Sequence, residues 1–308
     1  MKKKKLIFIA ACPRSGSTLI TNLIGNHKNI FNVGEMLNIH SFLNGGRIGL
    51  YFEGLCSCTK PVMECSFWGP LISKTIKERD SNIAEFYTRM NDLCTNENNV
   101  GRHLLPGKQI KALLKLSRSS LYCSNIARNC YSLLDNIALE HGVTTIVDSS
   151  KTLDSLVNYL NYKPDDWDVN IVHIFRDPRA TALSNIKGCR RAGVHPPNFY
   201  RCMLGIWRQN IMFNKLSTHP SVGSYQRLNF EEFCSNPGEK LKAIGANIAH
   251  RLKLEELTKY SSIRHDIAGS RSVVAKKEGI KISLDQTWRK QTNILQRILG
   301  GILALMAK

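Results

Sequence analysis

The sequence predicts an α/β protein, a single domain of three layers in which a mainly parallel central sheet is flanked by helices. Three observations carry this expectation. Short apolar runs of strand length recur at Lys5–Ala11, Val143–Val147, Val169–Phe175 and Ser224–Leu228, with helical periodicity between them. Such alternation implies parallel strands joined by helical crossovers. The first run passes through a glycine-containing turn directly into a helical pattern, and no repeat, low-complexity tract or linker divides the chain.

Taken in order, Lys5–Ala11 is apolar almost throughout, as a strand buried on both faces should be. Leu19, Leu23 and Ile24 then carry a helix that ends near His27. Residues 30–66, rich in Gly, Asn and Cys, read as an irregular excursion. Apolar residues from Leu71 to Leu93 recur at helical spacing and predict a helix over Gly69–Cys94. Residues 95–117 are polar and basic and read as a loop or lid. Ser119–Glu140 reads as a helix stopped by Gly142. The strand Val143–Val147, a helix over Thr152–Asn161 and the strand Val169–Phe175 follow. Helices are expected from Arg179 and over Asn198–Leu216, the latter with Phe199, Met203, Ile206, Trp207 and Phe213 on one stripe. After the strand Ser224–Leu228, helical segments run to Leu257. The chain closes on an apolar helix, Ile294–Ala307, too short to span a bilayer.

A chain of 308 residues with 43% hydrophobic content can bury a full core, which excludes a disordered protein. Its 43 Lys and Arg against 24 Asp and Glu give a formal charge of +19 and call for anionic partners. Ten cysteines are too few for a disulfide scaffold. The basic start followed by Leu6–Ala11 and Cys12 imitates a lipoprotein leader. Its apolar stretch is shorter than the roughly 7–15 residues of a leader core, so a strand is expected there, and the sparse cysteines read as reduced thiols of a cytoplasmic protein.

Pro13-Arg14-Ser15-Gly16-Ser17-Thr18 lies between the first strand and its helix. Gly16 allows the backbone to approach an oxyanion, the N–H groups at the helix start point at it, and Arg14, Ser17 and Thr18 add charge and donors. The Walker pattern GxxxxGK[ST] is absent. The competing reading is an ordinary helix start capped by Ser15 or Ser17. A second anion site is suggested where the strand Val169–Phe175 ends in Arg176-Asp177-Pro178-Arg179, with Ser184 farther along the next helix. Ligands collect at the carboxyl ends of parallel strands, which places Arg176 on the rim of Arg14. The alternative is a plain helix start with Asp177 as cap, Pro178 in the first turn and Arg179 solvated.

Together the two motifs resemble those of P-loop-type sulfotransferases that use 3′-phosphoadenosine 5′-phosphosulfate (PAPS). Cys56-Ser57-Cys58 with Cys65-Ser66-Phe67-Trp68, and Val147-Asp148-Ser149-Ser150-Lys151, are similar to bacterial-type members. So are Arg227–Phe233, although Asn229 and Phe230 depart from the usual pattern, and the late stretches Gly269-Ser270-Arg271 and Ile282–Arg289. The resemblance runs from residue 5 to about residue 290. It implies a single sulfotransferase domain over residues 1–308. Its expected parts are a 5′-phosphosulfate loop and helix at 5–29 and acceptor-side loops at 36–68 and 95–117. A strand pair with the 3′-phosphate site is expected at 143–190 and a late cofactor loop at 265–290. Arg14, Ser15, Gly16, Ser17, Thr18, Arg176, Ser184, Gly269 and Arg271 would hold the co-substrate, with Arg14 also acting on the leaving group.

The resemblance further implies sulfuryl transfer to a hydroxyl or amine of an acceptor, whether glycan, lipid or small molecule, without a metal. A general base must take the acceptor proton. Glu35, 21 residues after Arg14, lies at the offset of the family's glutamate bases. The ordinary reading of Glu35 is a solvated or ion-paired carboxylate. His40 is the rival base, and Lys151 a candidate for contact with acceptor or sulfate. Cys56, Cys58 and Cys65 have a CxC spacing and no evident fourth ligand, so packing thiols or one labile disulfide are expected rather than zinc. Two other function classes compete. A P-loop nucleotide phosphotransferase lacks its lysine and magnesium aspartate here, and a nucleic-acid or polyanion binder lacks a recognisable module. No nucleic-acid partner is expected. The terminal helix allows peripheral membrane contact.

Overall fold

A computed structural model describes residues 3–39, 55–79, 104–259, 265–267 and 279–306. Five parallel strands form one sheet: β1 (Lys4–Ala11), β2 (Ile30–Gly34), β3 (Thr145–Lys151), β4 (Trp167–Phe175) and β5 (Val222–Asn229). Their order is β2-β3-β1-β4-β5. The α/β class and the parallel central sheet expected from the sequence are therefore present. β1 is the central strand, and its residues from Leu6 to Ala11 are fully buried. Leu6, Phe8 and Ala10 enter one core and Ile7, Ile9 and Ala11 the other. Period-two side-chain alternation thus divides a continuous apolar run between the two faces.

The helices are α1 (Ser17–Gly25), α2 (Trp68–Glu78), α3 (Pro106–Ser119), α4 (Leu121–His141), α5 (Leu153–Asn161), α6 (Pro178–Arg191) and α7 (Phe199–Leu216). After β5 come α8 (Phe230–Ser235), α9 (Pro237–Ile248), α10 (Leu254–Leu257), α11 (Trp288–Gln291) and α12 (Ile294–Met306). Many ends follow simple chemistry. Ser120 caps α4 by accepting from Cys123 N, and Gly142 ends it at φ 61°. Asn198 caps α7, and Met203, Ile206 and Phe213 of its stripe are buried.

Two segments differ from the sequence reading. Ile30–Gly34 is an edge strand inside the stretch read as irregular, its apolar pattern interrupted by Asn32. Pro106–Ser119, inside the stretch read as a loop, is a helix with Pro106 in its first turn. It buries Ile110, Leu113 and Ser117, at i, i+3 and i+7, while Lys108, Lys111 and Lys115 occupy its exposed side. The terminal helix buries Gly300 and Leu303 and packs Leu299 beside them. Ile294, Leu295, Ile298, Ile302, Leu305 and Met306 remain exposed. Among the described residues no helix is long and apolar enough to cross a membrane.

The chain leaves β1 toward β2, returns through β3, and then crosses to β4 and β5 on the other side. The strand order reverses at the end of β1, where α/β sheets open a ligand crevice.

Candidate functional site

The loop after β1 is built around two residues with positive φ, Arg14 at 70° and Gly16 at 92°. A Cβ on Gly16 would lie 2.0 Å from the Phe230 ring, so conformation and space both demand glycine. Gly16 is itself the N-cap of α1, and without a side chain it cannot cap the helix. The reading of Ser15 or Ser17 as cap is corrected: Ser15 Oγ donates to Cys12 O at 2.7 Å, bracing the loop. Ser17 and Thr18 form the first turn, which carries no acidic residue. A helix start of this kind favours an anion through its N–H groups and its dipole.

Arg176, just past β4, reaches this loop. Its Nη1 donates to Arg14 O at 3.0 Å and its Nη2 to Asp285 O at 3.4 Å. The guanidinium lies 5.1 Å from the Phe230 ring centroid, while its buried Nε has no hydrogen-bond partner among the described residues. Phe230, a departure from the family pattern, therefore closes over Gly16 and supports Arg176. Asn229, the other departure, caps α8 by accepting from Glu232 N at 2.8 Å.

Asp177 and Pro178 have the helix-start roles of the bland reading. Asp177 accepts from Arg179 N at 2.8 Å, and Pro178 opens α6. Arg179 is not solvated as that reading supposed. It pairs with Asp177 at 2.5 Å, stacks 4.4 Å from the Trp288 ring centroid, and donates to Arg297 O. Ser184 lies partly exposed on α6. No contact joins it to Arg176 among those described.

At the neighbouring strand ends, Glu35 follows Gly34 of β2 and Lys151 ends β3. Their side chains form an ion pair, with 15% and 14% of each exposed. The other carboxylate oxygen of Glu35 accepts from Asn38 Nδ2 at 2.9 Å. Lys151 has φ 66°, a strained conformation for a lysine and one met often at functional sites. Glu35 is thus neither solvated nor isolated. The ion-paired alternative holds, and the partner is the other acceptor-side candidate.

Below this pair lies fully buried Asp148. One of its oxygens accepts from Ser150 N at 2.6 Å and Ser150 Oγ at 2.5 Å, the other from Tyr159 OH at 2.8 Å. Burial pushes its carboxyl up to about 6 against these bonds, with a smaller contribution from the Glu35 charge. Ser150 Oγ also accepts from Leu37 N at 3.1 Å, tying the turn after Glu35 to β3.

The arrangement brings Arg14, Gly16, Ser17, Thr18 and Arg176 to the central rim, with Lys151 one strand away on β3 and Glu35 beyond it, after β2. His40, Gly269 and Arg271 lie outside the described residues. Two features escaped the sequence. His173, buried in β4, bonds Asn210 at 2.8 Å and Tyr225 at 2.7 Å, and burial lowers it to about 4, so it is a neutral packing group. His265 meets Cys56, Cys58 and Cys65, with the candidate ligand atoms of all four within 4.8 Å of one another. No local spacing could announce a partner 200 residues away from Cys65.

Solved structures share this fold. The sulfotransferase domain from the curacin biosynthetic pathway aligns over 99% of both chains, with 15% identity and a TM-score of 0.55. The sulfotransferase domain from the Synechococcus PCC 7002 olefin synthase aligns over 99% of this chain and 94% of its own, with 18% identity and a TM-score of 0.53. No family model and no curated protein matches the sequence.

Proposed function

We propose that this chain, which has the sulfotransferase fold, transfers a sulfuryl group from PAPS to a hydroxyl or amine of an acceptor. The observation that carries the reading is the joining of two cationic elements at the strand-order reversal, Arg176 Nη1 donating to Arg14 O beside the uncapped start of α1. A nucleotide phosphorylated at both ends needs two such anion sites. The loop takes the 5′-phosphosulfate, and Arg176 with Ser184 takes the 3′-phosphate. Gly269 and Arg271 belong to the same co-substrate site in this reading.

The acceptor oxygen attacks sulfur as the bond from sulfur to the 5′-phosphate oxygen breaks. Its electron pair stays with adenosine 3′,5′-bisphosphate. Arg14 and the α1 N–H groups stabilise the charge gained by that leaving group. The acceptor proton goes to Glu35. Lys151 and Asn38 each bond one Glu35 oxygen at rest, so an acceptor hydroxyl reaches the carboxylate through a remaining lone pair or as one of these partners withdraws. Lys151 is the partner with another anion to turn to, the sulfuryl oxygens. Fixed cations supply the charge stabilisation, so no catalytic metal is invoked.

The phosphotransferase alternative has no loop lysine here, and nothing described favours a nucleic-acid surface. Calorimetric titration separates the three readings. Adenosine 3′,5′-bisphosphate should bind more tightly than magnesium ATP or duplex DNA, and a reversed order would defeat the proposal.

A further inference from the structure

Cys56, Cys58 and Cys65 lie on the loop preceding α2, and His265 on a late segment that returns beside it. Cys65 Sγ is 3.7 Å from Cys56 Sγ, 3.6 Å from Cys58 Sγ and 3.1 Å from His265 Nδ1, and Cys56 Sγ is 3.7 Å from that nitrogen. A tetrahedral zinc ion with ordinary Zn–S and Zn–N bonds separates its sulfurs by about 3.8 Å and sulfur from nitrogen by about 3.6 Å. A disulfide would need two sulfurs at about 2 Å, and none of the three is so bonded.

The surroundings are those of a closed site. Cys56 and Cys65 are each only 1% exposed. Thr59, at φ 71°, turns the chain back so that Cys56 N donates to Lys60 O and Thr59 N to Cys56 O. The His265 ring lies against Phe67, centroids 5.3 Å apart and planes 20° apart, and its carbonyl accepts from Trp68 Nε1 at 2.6 Å. Orientation of a ligand imidazole by its neighbours is a regular part of metal sites. Three soft thiolates and an imidazole select zinc among the common divalent ions.

We propose that Cys56, Cys58, Cys65 and His265 bind one structural zinc ion, which fastens the late segment to the loop before α2. With all four protein ligands in place the site has no open position for substrate, so its role is architectural. Its consequence reaches the rim. Asp266 N donates to Ser57 Oγ and Asp266 O accepts from Ser57 N, while Ile267 O accepts from Glu35 N at 2.7 Å. The zinc site thus holds the strand-like segment against which the backbone of Glu35 is pinned. Closing a loop of this length is entropically costly, and metal binding energy offsets it.

The test uses the full chain, purified under reducing conditions from zinc-supplemented culture and freed of loose metal by gel filtration. Elemental analysis by mass spectrometry should find one zinc per chain, and zinc K-edge absorption should show three sulfurs and one nitrogen. Cys65→Ser should lose the stoichiometric zinc. His265→Cys should retain it with four sulfurs, which distinguishes ligation from a general need for an intact fold. A folded, reduced wild-type chain that holds no zinc and takes none up overturns the proposal. So does a Cys65→Ser/His265→Ala variant that keeps its full zinc content. Zinc is read without substrate, so a zinc-loaded chain that transfers no sulfate contradicts only the functional reading.

Discussion

Lys151 and Glu35 form an ion pair across the carboxyl ends of adjacent strands β3 and β2. The lysine has a left-handed backbone, and the glutamate is held from its other oxygen by Asn38. Both side chains are largely buried, so the pair is a fixed feature of the rim rather than a surface contact of the kind that contributes little.

Glu35→Gln tests the role of this carboxylate. The amide keeps the size and hydrogen-bonding reach but cannot take the acceptor proton. Turnover on an alkyl alcohol should fall by ~10²–10⁴, the span of acid-base catalysis, with bisphosphate affinity nearly unchanged. A phenolic acceptor, which releases its proton more readily, should suffer less. Near-normal turnover of an alcohol by the folded variant would remove Glu35 from the mechanism.

Arg176→Ala should weaken adenosine 3′,5′-bisphosphate binding by ~1.5–3 kcal/mol, the range for a charge-assisted hydrogen bond, and Ser184→Ala by less. The preference for the 3′-phosphorylated over the plain 5′-nucleotide should shrink with it. Calorimetric titration of both nucleotides gives the answer, and an unchanged preference would place the 3′-phosphate elsewhere.

Gly16→Ala meets two obstacles at once, a φ of 92° and the Phe230 ring 2.0 Å from the new Cβ. Left-handed backbone strain alone costs about 1–3 kcal/mol. Chemical unfolding should report at least that loss, and bisphosphate binding should fall as the loop is forced open. Wild-type stability and binding in this variant would contradict the loop geometry.

Asp148 predicts a pH effect of definite sign. Its carboxyl titrates near 6 in the folded protein against 3.8 for the unfolded reference, because burial disfavours the charge. The unfolded chain therefore releases this proton first, and the group's contribution to stability falls as pH rises from about 4 to 6. The difference amounts to roughly 3 kcal/mol. Asp148→Asn removes that titration while retaining a group able to bond Ser150 and Tyr159. Urea unfolding from pH 4 to 7 should show the variant gaining on the wild type as pH rises, with Glu35 and Lys151 present in both. A constant difference would show that Asp148 does not titrate there.

The central strand was legible in the sequence because residues Leu6 to Ala11 are buried on both faces and therefore apolar without interruption. The tight turn after β1 was legible because glycine is required where Phe230 crowds the backbone. The edge strand Ile30–Gly34 was not, since five residues broken by Asn32 carry little periodicity. Pro106–Ser119 hid its narrow buried stripe under lysines. The Glu35–Lys151 pair was visible only as two separate candidates, because the sheet order that joins β2 to β3 is a tertiary fact. His265 gave no signal, since its relation to Cys65 exists only after the chain has closed a loop of 200 residues.

Transfer itself is the most direct test of the proposed activity. The full chain would be incubated with sulfur-labelled PAPS and a panel of alcohols, phenols, amines and glycans, and the products read by mass. The account predicts at least one acceptor gaining a single sulfuryl group, with an equal amount of adenosine 3′,5′-bisphosphate formed and with slower formation of this product by the Arg176→Ala and Glu35→Gln variants. Phosphoryl transfer from ATP to the same panel, with PAPS left intact, would contradict it.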